Sequence, residues 1–119
     1  MKAVFLTGLY AFANNELGAL AAVFDGDLVV VREAVEVGDV VDDSTEALLV
    51  DQLMYPGDAL ALLAEVRQRF PGVVRVVVLD WPGGPEAAED TYQLLRPVTE
   101  ERIGGLMEYI KHARTNVAQ

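Results

Sequence analysis

The chain has no cysteine, one histidine and one tryptophan, and only 9 of its 119 residues are Lys or Arg. Without cysteine there is neither a disulfide framework nor a thiolate metal site. The lone histidine, His112, stands near the C-terminus, where a surface position explains it and a His-rich metal site does not. The shortage of basic residues against 19 acids leaves a net charge of −10 and a pI of about 4.3. That balance argues against nucleic-acid binding, because phosphate contacts need clustered cations. Arg67 and Arg69, and the group Lys111, His112 and Arg114, read as complements to helix C-terminal dipoles. No apolar run reaches the roughly 18 residues needed to span a bilayer. The Met-Lys start runs into a short apolar segment with no small-residue cleavage pattern, so no secretory signal is expected. These absences point to a cytoplasmic protein.

What is present is a hydrophobic content of 52%, enough for a real core in a single domain of this length. Strands and helices alternate along the chain. Residues 2–7 (KAVFLT), 28–31 (LVVV), 47–51 (ALLVD) and 73–79 (VVRVVVL) are short apolar runs suited to buried strands. Residues 91–96 form a fifth, more polar strand expected at a sheet edge. Asn14 is the expected N-cap of a first helix with Leu17, Leu20, Ala21 and Phe24 on one face, ended by Asp25-Gly26. Between 33 and 45, Val35, Val37, Val40 and Val41 keep no clean period and Gly38 interrupts them, so a short or distorted helix is expected. Residues 57–70 carry Leu63, Val66 and Phe70 on one face, with Ala59 and Leu62 beside it, and Pro71-Gly72 ends that helix. WPGGPEAAED (residues 81–90) leaves room for about two helical turns. Thr99 caps a last helix with Ile103, Leu106, Met107 and Ile110 on one face. Continuous apolar strands alternating with helices imply a parallel sheet covered on both faces.

In such a fold chemistry collects at the carboxyl ends of the strands. Here that edge reads Thr7-Gly8, Asp51, Asp80 and Arg96. A carboxylate there can accept a phosphoryl group or bind Mg²⁺. It can equally be an acid at a solvated strand end.

Residues 48–80, LLVDQLMYPGDALALLAEVRQRFPGVVRVVVLD, resemble the centre of two-component response-regulator receiver domains, and Arg96-Pro97 with VTEER resembles that family's last motif. The resemblance implies a flavodoxin-like three-layer sandwich over residues 1–115. It would hold five parallel strands in the order 2-1-3-4-5 and about five helices, the second and fourth short, followed by a polar tail or linker at 116–119. It makes Asp51 the equivalent of the phosphoacceptor, with Met54 and Asp58 in register and Tyr55 in place of a proline. The acid pair that would bind Mg²⁺ is replaced by Thr7-Gly8, and Asp42-Asp43 come too late in the chain to substitute. Asp80 stands for the Thr or Ser that contacts phosphate, and Arg96 for the lysine. Gln93 takes the aromatic switch position, with Tyr92 shifted by one. The segment between Asp80 and Arg96 is short by roughly two turns.

These departures describe a degenerate, pseudo-receiver member of the family. Two unit charges about 4 Å apart interact by about 4 kcal/mol at an effective dielectric near 20. A phosphoaspartate facing Asp80 without a cation would be opposed on that scale. The expectation is therefore a signalling module that binds protein without phosphorylation and without enzymatic activity, cofactor or metal, Arg96 pairing with Asp51 or Asp80. Its partner would be a kinase, an effector or a second copy, met through the region of Trp81, Tyr92 and Gln93, with neither nucleic acid nor membrane bound. The alternative is a working phosphoacceptor in which Asp51 and Asp80 share the cation. A binder of a phosphate-bearing cofactor fits poorly, because the loop TGLYAFANN (residues 7–15) is bulky where a phosphate loop is small and hydroxyl-rich.

Overall fold

The computed structural model describes residues 2–7, 10–25, 27–51, 59–79 and 91–117. Its elements are β1 (Lys2–Leu6), α1 (Tyr10–Val23), β2 (Leu28–Val31), α2 (Ala34–Val40), β3 (Thr45–Asp51), α3 (Ala59–Arg69), β4 (Val74–Leu79), β5 (Thr91–Leu95) and α4 (Glu100–Val117). The strands form one parallel sheet in the order β2-β1-β3-β4-β5, as the sequence pattern and the resemblance implied. The polar fifth strand is indeed at an edge. Four helices lie among the described residues, and the short helix expected in 81–90 falls outside them.

Strand alternation divides the core into two layers. Ala3, Phe5, Ala47, Leu49, Val74, Val76, Val78 and Leu94 face α1 and α4, meeting Leu20, Phe24, Ile103, Leu106 and Ile110. Val4, Leu6, Leu48, Val50, Val77 and Leu79 face α2 and α3, meeting Val37, Val41, Leu63 and Val66. Each fully buried Leu, Val or Phe contributes about 1.5–3 kcal/mol of transfer free energy, so this two-sided burial is what holds the sheet between its helices.

Two local features differ from the sequence reading. α1 begins at Tyr10, so Asn14 is an interior helical residue and not the cap. Ala11 and Ala13 favour helix, and one or two asparagines cost only some tenths of a kcal/mol each, too little to stop it. β3 begins two residues early, at Thr45, because a tight turn feeds it. Asp42 N–H donates to Thr45 Oγ1 (3.1 Å) and Thr45 N–H returns to the Asp42 carbonyl (3.0 Å). The short second helix is present. Its β-branched valines and interior Gly38 are poor helix formers, and it survives by burying Val37 and, just past its end, Val41. Two residues past the end of α1, Asp25 lies in the left-handed region (φ 54°), a conformation Asp tolerates better than most residues. α4 is capped as expected: Arg102 N–H donates to Thr99 Oγ1 at 3.3 Å.

Candidate functional site

The β1–β3 register pairs Leu6 with Val50, so the next residues, Thr7 and Asp51, stand side by side where the two strands end. Both are buried, Asp51 completely. Across β4, Leu79 pairs with Leu95, and Arg96 continues the ladder by donating its N–H to the Leu79 carbonyl at 2.8 Å. Alternation puts Thr7, Asp51 and Arg96 on one parity, that of the α1/α4 layer. β3 and β5 lie two strand spacings apart, roughly 10 Å, and the long arginine side chain crosses the end of β4 to close that distance.

The contact that results is bidentate. Arg96 Nη1 donates to Asp51 Oδ1 at 3.1 Å and Nη2 donates to Oδ2 at 2.7 Å. Thr7 Oγ1 donates to the same Oδ2 at 3.0 Å. The ion pair is shielded: side-chain exposure is 7% for Arg96 and 0% for Asp51. A planar guanidinium matches a carboxylate in this way, and a lysine ammonium does not. Arg96 is thus joined to Asp51, one of the two partners expected for it. The Arg96–Pro97 peptide is cis.

Gly8, Asp80 and Trp81, also candidates from the sequence, lie outside the described residues, as do Met54, Tyr55 and Asp58. Among the described residues no group of three or more His, Cys, Asp or Glu side chains is arranged to hold a metal ion. Asp42 sits at the turn before β3, at the amino end of the sheet and away from Asp51. There it accepts from Lys2 Nζ (3.1 Å) and from the Ser44 N–H and hydroxyl. These contacts, the Ser44 hydroxyl first and then Lys2, hold its carboxyl down at about 2. Lys2 Nζ also donates to the Val40 carbonyl at 2.6 Å, closing the C-terminus of α2.

Tyr92 and Gln93 point to opposite faces of β5, and each is half-buried. Tyr92 packs on α4, its ring 5.0 Å from that of Tyr109 and tilted by 45°. Gly105 admits its hydroxyl: a Cβ at that position would lie 2.8 Å from the Tyr92 oxygen. The role of Thr7 as a hydrogen-bond donor to Asp51 was not expected from the sequence, which marked position 7 for the acid it lacks. A hydroxyl residue one register step from a buried acid is the signal that could have suggested it.

Fold and sheet edge together define a flavodoxin-like domain of receiver topology. Among solved structures it is similar to a chain from Burkholderia thailandensis E264 described as a pilus assembly protein (CpaE). The TM-score is 0.60 at 17% identity, over 94% of this chain and 99% of that one, a likeness of fold. No family model matches the chain, and no curated protein matches it significantly. No described helix is long and apolar enough to cross a membrane.

Proposed function

We propose that this chain is a pseudo-receiver: a cytoplasmic, protein-binding signalling module that works without phosphorylation of Asp51. The observation that carries the reading is the buried bidentate pair of Asp51 with Arg96. To attack phosphorus, one carboxylate oxygen must be free and reachable. Here Oδ1 accepts from Arg96, Oδ2 accepts from both Arg96 and Thr7, and the side chain has no solvent exposure. Breaking one side of a buried pair costs about 3–5 kcal/mol, which a phosphoryl donor would have to repay before chemistry starts. Thr7 supplies a neutral hydroxyl where the receiver resemblance calls for a metal-binding acid. The pair therefore acts as a fixed strut between β3 and β5 and holds one conformation. A fold held in one state transmits by presenting a surface, and the similar chain described as a pilus assembly protein is in keeping with a role in protein association.

The test is intact mass after incubation with acetyl phosphate and Mg²⁺, alongside Asp51→Asn. No adduct on a folded protein is the expected result. An adduct that disappears in the variant would overturn the reading and make Asp51 a working phosphoacceptor.

A further inference from the structure

Strand ends are where a sheet opens most readily, and an edge strand, held from one side only, has the least to resist it. Both edges here are short: β2 has four residues and β5 has five. At their carboxyl ends, however, both are tied into the buried site. The β1–β2 ladder pairs Leu6 with Val31, and just beyond it the Thr7 N–H donates to the Val31 carbonyl at 3.0 Å. The β4–β5 ladder pairs Leu79 with Leu95, and just beyond it the Arg96 N–H donates to the Leu79 carbonyl. The two residues that close these outer ladders are the two whose side chains meet on Asp51.

Each of the two therefore works twice. Thr7 holds β2 with its backbone and Asp51 with its hydroxyl, and Arg96 holds β4 with its backbone and Asp51 with its guanidinium. The hydrogen bonds run without a gap across the carboxyl ends of all five strands, from Val31 through Thr7, Asp51 and Arg96 to Leu79. Asp51 is the hub, since its Oδ2 accepts from Thr7 at 3.0 Å and from Arg96 at 2.7 Å. Thr7, Asp51 and the Arg96 side chain are all buried, so a bond that opens there is not replaced by one to water. A carboxylate released by one donor is freer to turn, and that loosens its hold on the other.

We propose that Thr7 is a positioning residue that couples the two edges of the sheet, so that opening at the end of β5 is transmitted through Asp51 to the end of β2, and the reverse. The coupling reaches the surface, because α2 begins at Ala34, just after Val31, and α4 begins at Glu100, just after Arg96. A partner that takes hold of one of these connections would be felt at the other. The proposal rests on the same buried pair as the proposed function but not on the absence of phosphorylation. The phosphorylation test reads mass and this one reads exchange at the strand ends, so the two fail separately.

The experiment is amide hydrogen exchange of the ¹⁵N-labelled full chain, under conditions in which exchange follows the opening equilibrium, for the parent, Thr7→Val and Thr7→Ser. Valine keeps the shape of threonine and lacks only the hydroxyl, and the N–H of residue 7 can still donate to Val31. Thr7→Val is expected to speed exchange of the Arg96 N–H, three strands away, by about fivefold, the weight of one hydrogen bond. Thr7→Ser should stay near the parent. The Val76 N–H, in the middle of β4, reports opening of the whole fold and should change less. In Asp51→Leu/Arg96→Met, where the hub is gone, adding Thr7→Val should leave the N–H of residue 96 within about twofold. An Arg96 N–H unmoved by Thr7→Val, a Val76 N–H that speeds as much as that of Arg96, or the same acceleration in the absence of Asp51 would each overturn the proposal.

Discussion

Replacing Arg96 by methionine keeps most of the side-chain volume and removes only the guanidinium, so it isolates what the ion pair does. In the parent the Asp51 carboxylate has no solvent exposure, and its two oxygens accept both arms of the fork at 3.1 and 2.7 Å. In Arg96→Met the Thr7 hydroxyl bond persists while the guanidinium is gone. Leaving a buried charge in that state costs about 3–5 kcal/mol. For a domain of this size, whose whole stability is on the order of 5–15 kcal/mol, that is a large fraction. With a urea dependence of about 1–3 kcal/mol per molar, the unfolding midpoint followed by circular dichroism should fall by roughly 2 M. The double variant Asp51→Leu/Arg96→Met removes both charges together and should recover most of the loss, because a buried pair and its apolar replacement are nearly equal in energy. A loss below about 1 kcal/mol in Arg96→Met would mean that the pair behaves as a surface salt bridge, and the strut argument would fail. So would a double variant no better than the single.

Other consequences can be read from single contacts. The Asp42 carboxyl should titrate in the folded protein with a midpoint near 2, against an ordinary 3.8. Since the folded value is the lower one, the stabilisation from this group is present above about 3.8 and is lost as pH falls through 2. Ser44→Ala should move the midpoint upward in a side-chain carboxyl NMR titration, and an unmoved midpoint would show that the hydroxyl is not the main cause. Thr99→Ala removes the N-cap acceptor for Arg102 N–H and should cost about 1 kcal/mol in chemical denaturation, with Thr99→Ser close to neutral. Gly104→Ala and Gly105→Ala bring the same gain in helix propensity, about 1 kcal/mol. Only the second meets an obstacle, the Tyr92 hydroxyl at 2.8 Å, so Gly104→Ala should be the more stable of the two; the reverse order would show that the Tyr92–Tyr109 pair yields freely.

The strands could be read within about two residues because β1, β3 and β4 are dominated by Val, Leu, Ala or Phe buried on both faces and β2 is a run of Leu and Val, a pattern that helices in this chain do not share, while β5 was placed by its more polar edge character. Where a helix must start is less constrained: the last turn of α1 carries buried Leu20, with Phe24 just past its end, whereas nothing in YAFANN marks its first turn. At the edge, Asp51 and Arg96 were identifiable because each closes a strand with a charge. Their pairing depends on a distance across β4 that strand order fixes, and strand order came from the family resemblance, not from periodicity. The exposure of Val35, 73%, was not legible at all. Val35 reads as one more valine in an irregular stretch, and only the turn of α2 that buries Val37 and Val41 shows that Val35 is left outside.

The departures from the receiver pattern at positions 7 and 96 are better read together, as one electrostatic arrangement, than one by one. The receiver resemblance implies a cluster of acids around the phosphoacceptor with a single lysine, an excess of negative charge that a divalent cation neutralises. Where that resemblance would place an acid this chain has the hydroxyl of Thr7, and where it would place the lysine this chain has an arginine that takes both oxygens of Asp51. The guanidinium offsets the carboxylate's charge, and both carboxylate oxygens are engaged inside the protein. Placing the receiver residue at one position alone would not build a switch. Thr7→Asp would place a second carboxylate beside Oδ2 and compete for the same guanidinium, while Arg96→Lys would free one oxygen with no cation to direct it. Stability should fall in each single variant without a gain in phosphorylation. A chain in which Thr7→Asp alone restored a phosphoryl adduct would show that the arginine fork is no lock.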